Sequence, residues 1–396
     1  MQGQGIVKFA MGGKDPAPYT SFTRTWHTGS HGSSGRQESS TTMVMKFSNF
    51  IFPAAETPED DGRVIRESVA EAQLCDRLGV DTVWLAEHHF DGICAYVDPV
   101  SFAAALATCT ENIKIGFAVA QMSLHHPIRF AEQMNMIDHL SKGRLIVGLG
   151  RGTAYNIYDY QGYDIDADEA QERLLESEDI MLKAWTTENF EYKGKFWNIK
   201  LPKLRPVPYT KPHPTILRAS SSEGSMVGLA KEGRPFMMNV QSDEVTKHRM
   251  DLYRQTLAEA GYDDAKIAQN VSDSWVWRNV FVAETDEEAE RVGVPAFTRQ
   301  HEFRSEMRKR VYEEQGVRLQ EEKKGIARND PAHGLIYGSP ATVAERLAKI
   351  DAIGVGGIMM TFRLGPMAAE VANNSIKLFM EKVAPEFQNR AAAAAE

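Results

Sequence analysis

The stretch Asp81-Thr82-Val83-Trp84-Leu85-Ala86-Glu87-His88-His89-Phe90 joins a short apolar run to a cluster of polar and aromatic side chains. Its first half is typical of a strand that is buried on both faces in a parallel sheet. Helical spacing of apolar residues precedes it over Arg63–Leu78 and follows it over Pro99–Cys109. A strand between two helices, with reactive side chains at its carboxyl end, is the repeating unit of an α/β barrel.

The same alternation of strand and helix continues along the chain from Met45. Eight strands are predicted, at Lys46–Phe52, Asp81–Ala86, Ile113–Val119, Arg144–Leu149, Thr215–Ala219, Pro235–Val240, Trp275–Ala283 and Gly357–Phe362. An open doubly wound sheet is the alternative, but no Gly-x-Gly-x-x-Gly follows the first strand. The pattern therefore favours a (β/α)₈ TIM barrel.

Three segments do not fit the repeating pattern. Residues 1–44 contain Gly, Ser and Thr clusters and no apolar core of a secretion signal, so we predict a flexible N-terminal extension. The barrel domain is predicted over 45–388, followed by a disordered tail at 389–396. Charged sequence at 286–335 has no strong apolar face and is predicted to be a mobile insertion before the last strand.

Composition narrows the class of partner. The net charge of −9 argues against nucleic acid or an anionic membrane as the main partner. Three cysteines without metal-site spacing are typical of reduced thiols, and no apolar run reaches 18 residues. A cytoplasmic protein without a membrane span is therefore expected.

Histidines cluster at the predicted carboxyl ends of strands two and three, as the pairs His88-His89 and His125-His126. Metal ligands on one strand usually alternate, because adjacent side chains point to opposite faces. The pairs therefore argue against a metallohydrolase barrel, and no metal is predicted. A neutral His88 that donates a hydrogen bond or acts as a general base is preferred. A purely structural role stays open for His88 and is preferred for the other three.

An anion site is predicted at the ends of strands four and five. Arg151 follows the glycine-rich turn Gly148–Gly152, and a serine cluster, Ser220–Ser222, opens the next helix. Helix N-termini and serine hydroxyls suit a phosphate, although a simple N-cap explains the serines equally well. Aromatic and methionine side chains, including Met122 and Tyr155, would line the mouth, which suits a flat apolar cofactor with a phosphate tail.

These residues resemble a known family. The matching stretches are Met45–Phe50, Asp81–Phe90, His126-Pro127-Ile128-Arg129, and Ser141-Lys142-Gly143-Arg144 running to Gly152. The chain is similar to the bacterial luciferase-like, flavin-dependent monooxygenases, and most closely to luciferase alpha subunits.

The resemblance implies an FMN site and a role for individual residues. His88 matches the catalytic histidine, which would protonate the oxygen adduct of the flavin or act as base toward substrate. Arg151, Ser222 and Ser225 would hold the phosphate, and Ala118-Val119, a non-prolyl cis peptide in the family, would lie behind the isoalloxazine. Phe90 would wall the substrate side together with Met122 and Tyr155. The segment 286–335 matches the family's mobile loop.

The implied activity is oxygenation of an apolar organic substrate, by hydroxylation or a Baeyer–Villiger reaction. Reduced FMN would come from a separate flavin reductase and react with O₂, and a homodimer is implied. Two departures matter: Gly150 stands where luciferase alpha carries a reactive cysteine, and the second phosphate-binding arginine has only Arg173 as a candidate. A deazaflavin-dependent dehydrogenase on the same barrel and a non-catalytic flavin-binding protein stay open as alternatives.

Overall fold

The structure is a computed structural model that describes residues 44–90, 92, 94–152, 157–316 and 329–387. Nearly all of the predicted extension at 1–44, the predicted tail at 389–396 and Tyr155 lie outside these residues. No helix of the described ranges is long and apolar enough to cross a membrane.

Twelve strands are present in the described ranges. In chain order they are β1 Lys46–Ile51, β2 Thr82–Leu85, β3 Lys114–Phe117, β4 Ala120–Gln121, β5 Leu145–Gly150, β6 Phe190–Lys193, β7 Asn198–Leu201, β8 Thr215–Ser220, β9 Phe236–Met238, β10 Trp275–Val282, β11 Leu335–Gly338 and β12 Gly357–Thr361.

The helices pack around these strands. They are α1 Asp61–Leu78, α2 Pro99–Cys109, α3 Pro127–Leu140, α4 Ile157–Gly162, α5 Ala170–Thr186, α6 Glu223–Lys231, α7 Asp243–Glu259, α8 Asp264–Ser272, α9 Asp286–Gln315, α10 Pro331–Gly334, α11 Pro340–Asp351 and α12 Ala369–Leu378, the last continuing into a π-helical turn at Phe379–Val383.

A closed parallel barrel confirms the predicted fold class. The ring runs β1, β2, β3, β5, β8, β9, β10, β12, and β12 pairs with β1 to close it. Every pairing in this ring is parallel. All eight predicted strands are members of the ring, so the sheet was read correctly from the alternation of apolar runs and helices.

Two tryptophans from strands that do not pair fill the barrel interior. Trp84 on β2 and Trp275 on β10 meet edge to face with ring centroids 5.2 Å apart. The Trp84 Nε1–H donates to the Ser48 hydroxyl at 2.9 Å, so its one polar group is satisfied. Glycines leave the space that the two indole rings occupy. A Cβ on Gly116 would lie 2.3 Å from the Trp84 ring, and one on Gly357 would lie 2.4 Å from Trp275.

Local sequence signals explain where the helices begin. Asp98 caps α2 by accepting from the backbone amides of Val100 and Ser101, and Pro99 occupies the first turn. Glycine also marks where a helix ends. Helix α1 ends at Gly79, which has φ 77°, the left-handed conformation that glycine adopts at little cost.

Two parts of the sheet were missed by the sequence reasoning. The stretch Phe190–His213, interpreted as irregular, contains the antiparallel hairpin of β6 and β7. The region interpreted as a mobile insertion contains α9 and the short strand β11, which pairs with β10 outside the ring. Both misses concern strands of four residues, which are too short for a clear alternation of apolar and polar residues.

Candidate active site

A buried carboxylate lies at the carboxyl end of β2. The Glu87 side chain accepts hydrogen bonds from the imidazole Nε2 of His89 at 3.0 Å and of His125 at 2.9 Å. It also accepts from the backbone amide of Gln121 at 2.6 Å. Glu87 is only 4% exposed, so these groups replace the water that an ionised carboxylate requires.

These contacts shift the pKa of all three side chains. Burial alone would raise the pKa of Glu87, but the charge and hydrogen bonds of His125, together with those of His89, outweigh it and lower that pKa to about 2. Burial alone would lower the pKa of each histidine, yet the bond to the Glu87 carboxylate raises both above the ordinary value. Glu87 is therefore ionised throughout the neutral range.

The His88 ring lies against a wall of aromatic rings. Its ring is half-buried and lies 5.1 Å from that of Phe52, measured between centroids. Phe52 stacks on Phe50 at 5.6 Å, and Phe50 meets Trp277 edge to face at 5.1 Å. The histidine thus lies at the edge of an apolar surface formed by residues of β1, β2 and β10 and those just after them.

A cation from α9 lies over the same wall. The guanidinium carbon of Arg304 is 4.6 Å from the centroid of the Phe52 ring and 5.9 Å from that of Trp277. The middle of α9 therefore reaches over the barrel mouth. Sequence reasoning did not find Phe52, Trp277 or Arg304 as site residues, because no local pattern shows which helix covers which strand end.

The predicted flavin-side step is found between β3 and β4. The Ala118–Val119 peptide is cis. Gly150, at the end of β5, faces Val119: a Cβ on Gly150 would lie 2.4 Å from a Val119 methyl carbon. The glycine at the position of the luciferase cysteine therefore leaves room for the valine side chain.

The residues predicted to bind an anion follow two neighbouring strands, β5 and β8, at the same height along the barrel axis. Leu149 of β5 is paired with Arg218 of β8, so Arg151 and Ser220 each lie two residues further along their strand ends. Arg151 and Ser222 are both exposed.

The two serines of this predicted anion site have a structural role as well. Ser222 is the N-cap of α6 and accepts from the Ser225 backbone amide at 3.2 Å. The N-cap interpretation is thus correct for Ser222. Its hydroxyl oxygen is the acceptor in this bond, so the hydroxyl hydrogen can still be donated to another group.

Arg249, and not the candidate Arg173, lies near these serines. Arg173 bonds to Glu169 at 3.0 Å and covers the ring of Phe196 at 4.4 Å. Arg249 on α7, by contrast, donates to the Ser221 carbonyl at 3.4 Å. Sequence spacing gives no signal for Arg249, since its position depends on how α7 packs against α6.

The three predicted substrate residues have different environments. Phe90 is 58% exposed and has φ 60°, which is uncommon for a bulky residue. Its ring covers Gly162, where a Cβ would lie 2.3 Å from a ring carbon. Met122 is fully buried in the core cluster. Tyr155 lies outside the described residues.

A family model described as luciferase-like monooxygenase matches residues 45–356, the whole range from the first strand to the start of β12. The chain belongs to the luciferase-like monooxygenase family. The resemblance drawn from the sequence is thereby confirmed, and the chain is an enzyme of an oxygenase family in which flavin use is general.

Among curated relatives of this luciferase-like monooxygenase is a protein of Sinorhizobium fredii named y4vJ, 27% identical over 357 residues that cover 87% of this chain and 98% of that protein. An alkanal monooxygenase alpha chain from the Kryptophanaron alfredi symbiont is 29% identical over 228 residues, which are 56% of this chain and 62% of the relative.

Solved structures share the barrel. Monooxygenase RslO1 from Streptomyces bottropensis superposes with a TM-score of 0.73 at 25% identity, covering 87% of this chain and all 100% of that one. The oxygenating constituent of 3,6-diketocamphane monooxygenase from Pseudomonas putida, a type II Baeyer–Villiger enzyme in complex with FMN, gives 0.70 at 22% identity, over 87% and 99%. An F420-dependent secondary alcohol dehydrogenase gives 0.65 at 15% identity, over 86% and 98%. The last two show likeness of fold alone.

Proposed function

We propose that this luciferase-like monooxygenase uses reduced FMN and O₂ to oxygenate an apolar organic substrate, by hydroxylation or a Baeyer–Villiger reaction. The observation that carries the proposal is the placement of His88. It stands at the carboxyl end of a barrel strand, beside a buried carboxylate network and against the aromatic wall that begins with Phe52 at 5.1 Å. An imidazole in that place can hold or transfer a proton at the edge of an apolar pocket.

The residues present fit FMN. Gly150 opens the backbone beside Val119, since any side chain there would collide with the valine methyl at 2.4 Å. The exposed N-terminus of α6, with Ser222 and Ser225, offers hydroxyl groups and helix-end polarity to a phosphate, and Arg151 follows the neighbouring strand. Bound reduced FMN would supply the chemistry that activates O₂.

The protein's own side chains would then provide position and protons. We assign Arg151, Ser222 and Ser225 to the phosphate and Ala118 and Val119 to the face behind the isoalloxazine. His88 would exchange a proton through an imidazole nitrogen with the reacting oxygen or with the substrate. Phe90 and Tyr155 would wall the substrate, and Met122 would shape that wall from behind because it is fully buried.

The proposed partners rest on membership of the luciferase-like family. We propose that a separate flavin reductase supplies the reduced FMN, and that the enzyme is a homodimer. The alkanal monooxygenase relative is named for oxygenation of an alkanal, and the diketocamphane enzyme for a Baeyer–Villiger reaction. Alkanals and cyclic ketones are therefore the first substrate classes to test.

The decisive experiment supplies photoreduced FMN under an atmosphere of ¹⁸O₂ to wild type and to His88→Ala. Flavin reoxidation, peroxide release and incorporation of ¹⁸O into aldehydes and cyclic ketones are measured. We expect His88→Ala to lose about 10²- to 10⁴-fold in product formation, the range typical of a removed acid–base group, while the Kd for FMN changes less than about twofold. Equal product formation by both proteins would show that the role given to His88 is wrong.

A deazaflavin-dependent dehydrogenase is the second candidate, favoured by the fold likeness to the F420-dependent alcohol dehydrogenase. It predicts reduction of F420 by an alcohol without any consumption of O₂. Binding of FMN and F420 to the same protein sample, together with an oxygen electrode, separates the two functions.

A further inference from the structure

The two peptide groups on either side of His88 are both held by buried side chains. The carbonyl of Glu87, which belongs to the peptide before His88, accepts from Gln121 Nε2 at 3.1 Å. The amide of His89, which belongs to the peptide after His88, donates to Asp159 Oδ1 at 3.0 Å. Gln121 Nε2 also donates to Asp159 Oδ2 at 2.6 Å, so one amide–carboxylate pair spans the histidine.

A second set of bonds fixes the side chains that flank His88 in the chain. The Glu87 carboxylate joins the imidazoles of His89 and His125 with the backbone of Gln121. Asp159 is 1% exposed and Glu87 is 4% exposed, so the arrangement is closed to water. Buried polar groups that are bonded in this way favour one backbone conformation, because another conformation would leave buried groups without their partners.

We propose that Glu87, Gln121, His125 and Asp159 are positioning residues that fix the orientation of His88, and that the charge on the His89–Glu87–His125 cluster controls how firmly they do so. The proposal rests on the proposed function only in giving His88 the chemistry. The geometry that it describes is independent of which flavin binds.

The charge balance of the cluster determines its pH response. The groups that face it are the carboxylates of Asp98 and Asp159 and the phenol of Tyr163, whose oxygen is 3.5 Å from His89 Nδ1. These two carboxylates and that of Glu87 favour a protonated imidazole, and the repulsion between His89 and His125 opposes protonation of both. The pKa of each histidine is raised, so the imidazolium persists to a higher pH than in an unperturbed histidine and is lost as the pH rises through that raised value.

Loss of the imidazolium leaves the Glu87 carboxylate with weaker neutral donors. The orientation of His88 is then less fixed, and the step that depends on it slows. We therefore expect product formation to fall on the basic side of its pH profile at the raised pKa of this cluster.

The test compares His125→Gln and Asp159→Asn with His126→Gln as the matched control. His126 is the sequence neighbour of His125, but it is exposed and packs on Trp197 at 4.5 Å, outside the network. We expect His125→Gln and Asp159→Asn to lower the turnover of ¹⁸O product about tenfold, to leave the Kd for FMN within twofold, and to displace the basic limb of the pH profile. The control should match wild type in all three.

An NMR measurement separates this proposal from the proposed function, because the titration is followed on wild-type protein and needs no oxygenase activity. The imidazole resonances of histidine-labelled wild-type protein are followed from pH 5 to pH 10. We expect the His88 resonance, assigned with His88→Ala, to show an inflection at the raised pKa of the cluster even if the protein oxygenates nothing. A His88 resonance that does not change as the cluster titrates would overturn the proposal. It would also be overturned by variants that lose turnover while the basic limb of their pH profile stays where it is in wild type.

Discussion

At the residue scale, the barrel interior depends on one glycine opposite one tryptophan. Trp84 is fully buried between Ser48, which accepts its Nε1–H, and Trp275, which meets its ring at 5.2 Å. Gly116 on the neighbouring strand β3 leaves the third side open. Because Ser48 and Trp275 contact the indole on its other sides, the ring cannot move away from a side chain added at Gly116.

Gly116→Ala is therefore expected to destabilise the protein by about 1–3 kcal/mol, because the new Cβ would lie 2.3 Å from the Trp84 ring. The matched control is Gly228→Ala in α6, where nothing lies within 4 Å of the added carbon. The same chemical change there should stabilise by about 0.5–1 kcal/mol, since alanine favours a helix. Urea denaturation of the three proteins measures both, and equal midpoints would contradict this account of the core.

The residues of the site were predictable to different degrees. His88 and Glu87 follow a buried strand directly, so the rule that chemistry lies at the carboxyl ends of barrel strands selects them from sequence alone. Asp159 and Arg304 reach the same place from helices distant in the chain. Their placement depends on tertiary packing, which leaves no periodic trace in the sequence.

At the element scale, the eight strands of the ring were predicted from their apolar runs, whereas β6, β7 and β11 were not. Phe190 and Tyr192 in β6, and Ile199 and Leu201 in β7, do alternate with polar residues. This period of two is a signal for a hairpin, but lysines and the nearby prolines mask it in four-residue strands.

Helix α9 is the element on which the predicted mobility can be tested. Its first half buries Phe297 completely, and Gln300 accepts from the Gly365 amide at 3.0 Å. Its described side chains after Arg304 are exposed, and surface ion pairs such as Arg310 with Glu314 stabilise little.

We expect backbone amides over residues 297–303 to exchange with deuterium at least about ten times more slowly than those over 309–315, because few buried contacts oppose opening in the second half. The amides of α12 provide a reference for a firmly packed helix. Uniform exchange along all of α9 would mean that the helix opens as one unit.

At the scale of the whole molecule, closure of the ring brings the ends of β5 and β8 to the side of the mouth opposite the aromatic wall on β1 and β10. The proposed phosphate residues follow β5 and β8, which lie two and three strands from β2 in the ring, so a flavin ring in the mouth could reach from them to His88. Apolar periodicity predicted the eight strands, but only closure of the barrel shows which strand ends face one another.

A ligand that bridges the mouth must stabilise the native fold by mass action. FMN at about 100 times its Kd should add about 2.7 kcal/mol to the free energy of unfolding. If Arg151→Ala weakens FMN binding about tenfold, the same FMN concentration should give about 1.4 kcal/mol less.

Arg77→Ala is the control. Arg77 is exposed in the last turn of α1, and this end of the helix lies away from the barrel mouth. Thermal unfolding with and without FMN measures the three proteins. Equal stabilisation of wild type and Arg151→Ala would place the phosphate elsewhere, and Arg249, which bonds to the Ser221 carbonyl, would be the next arginine to replace.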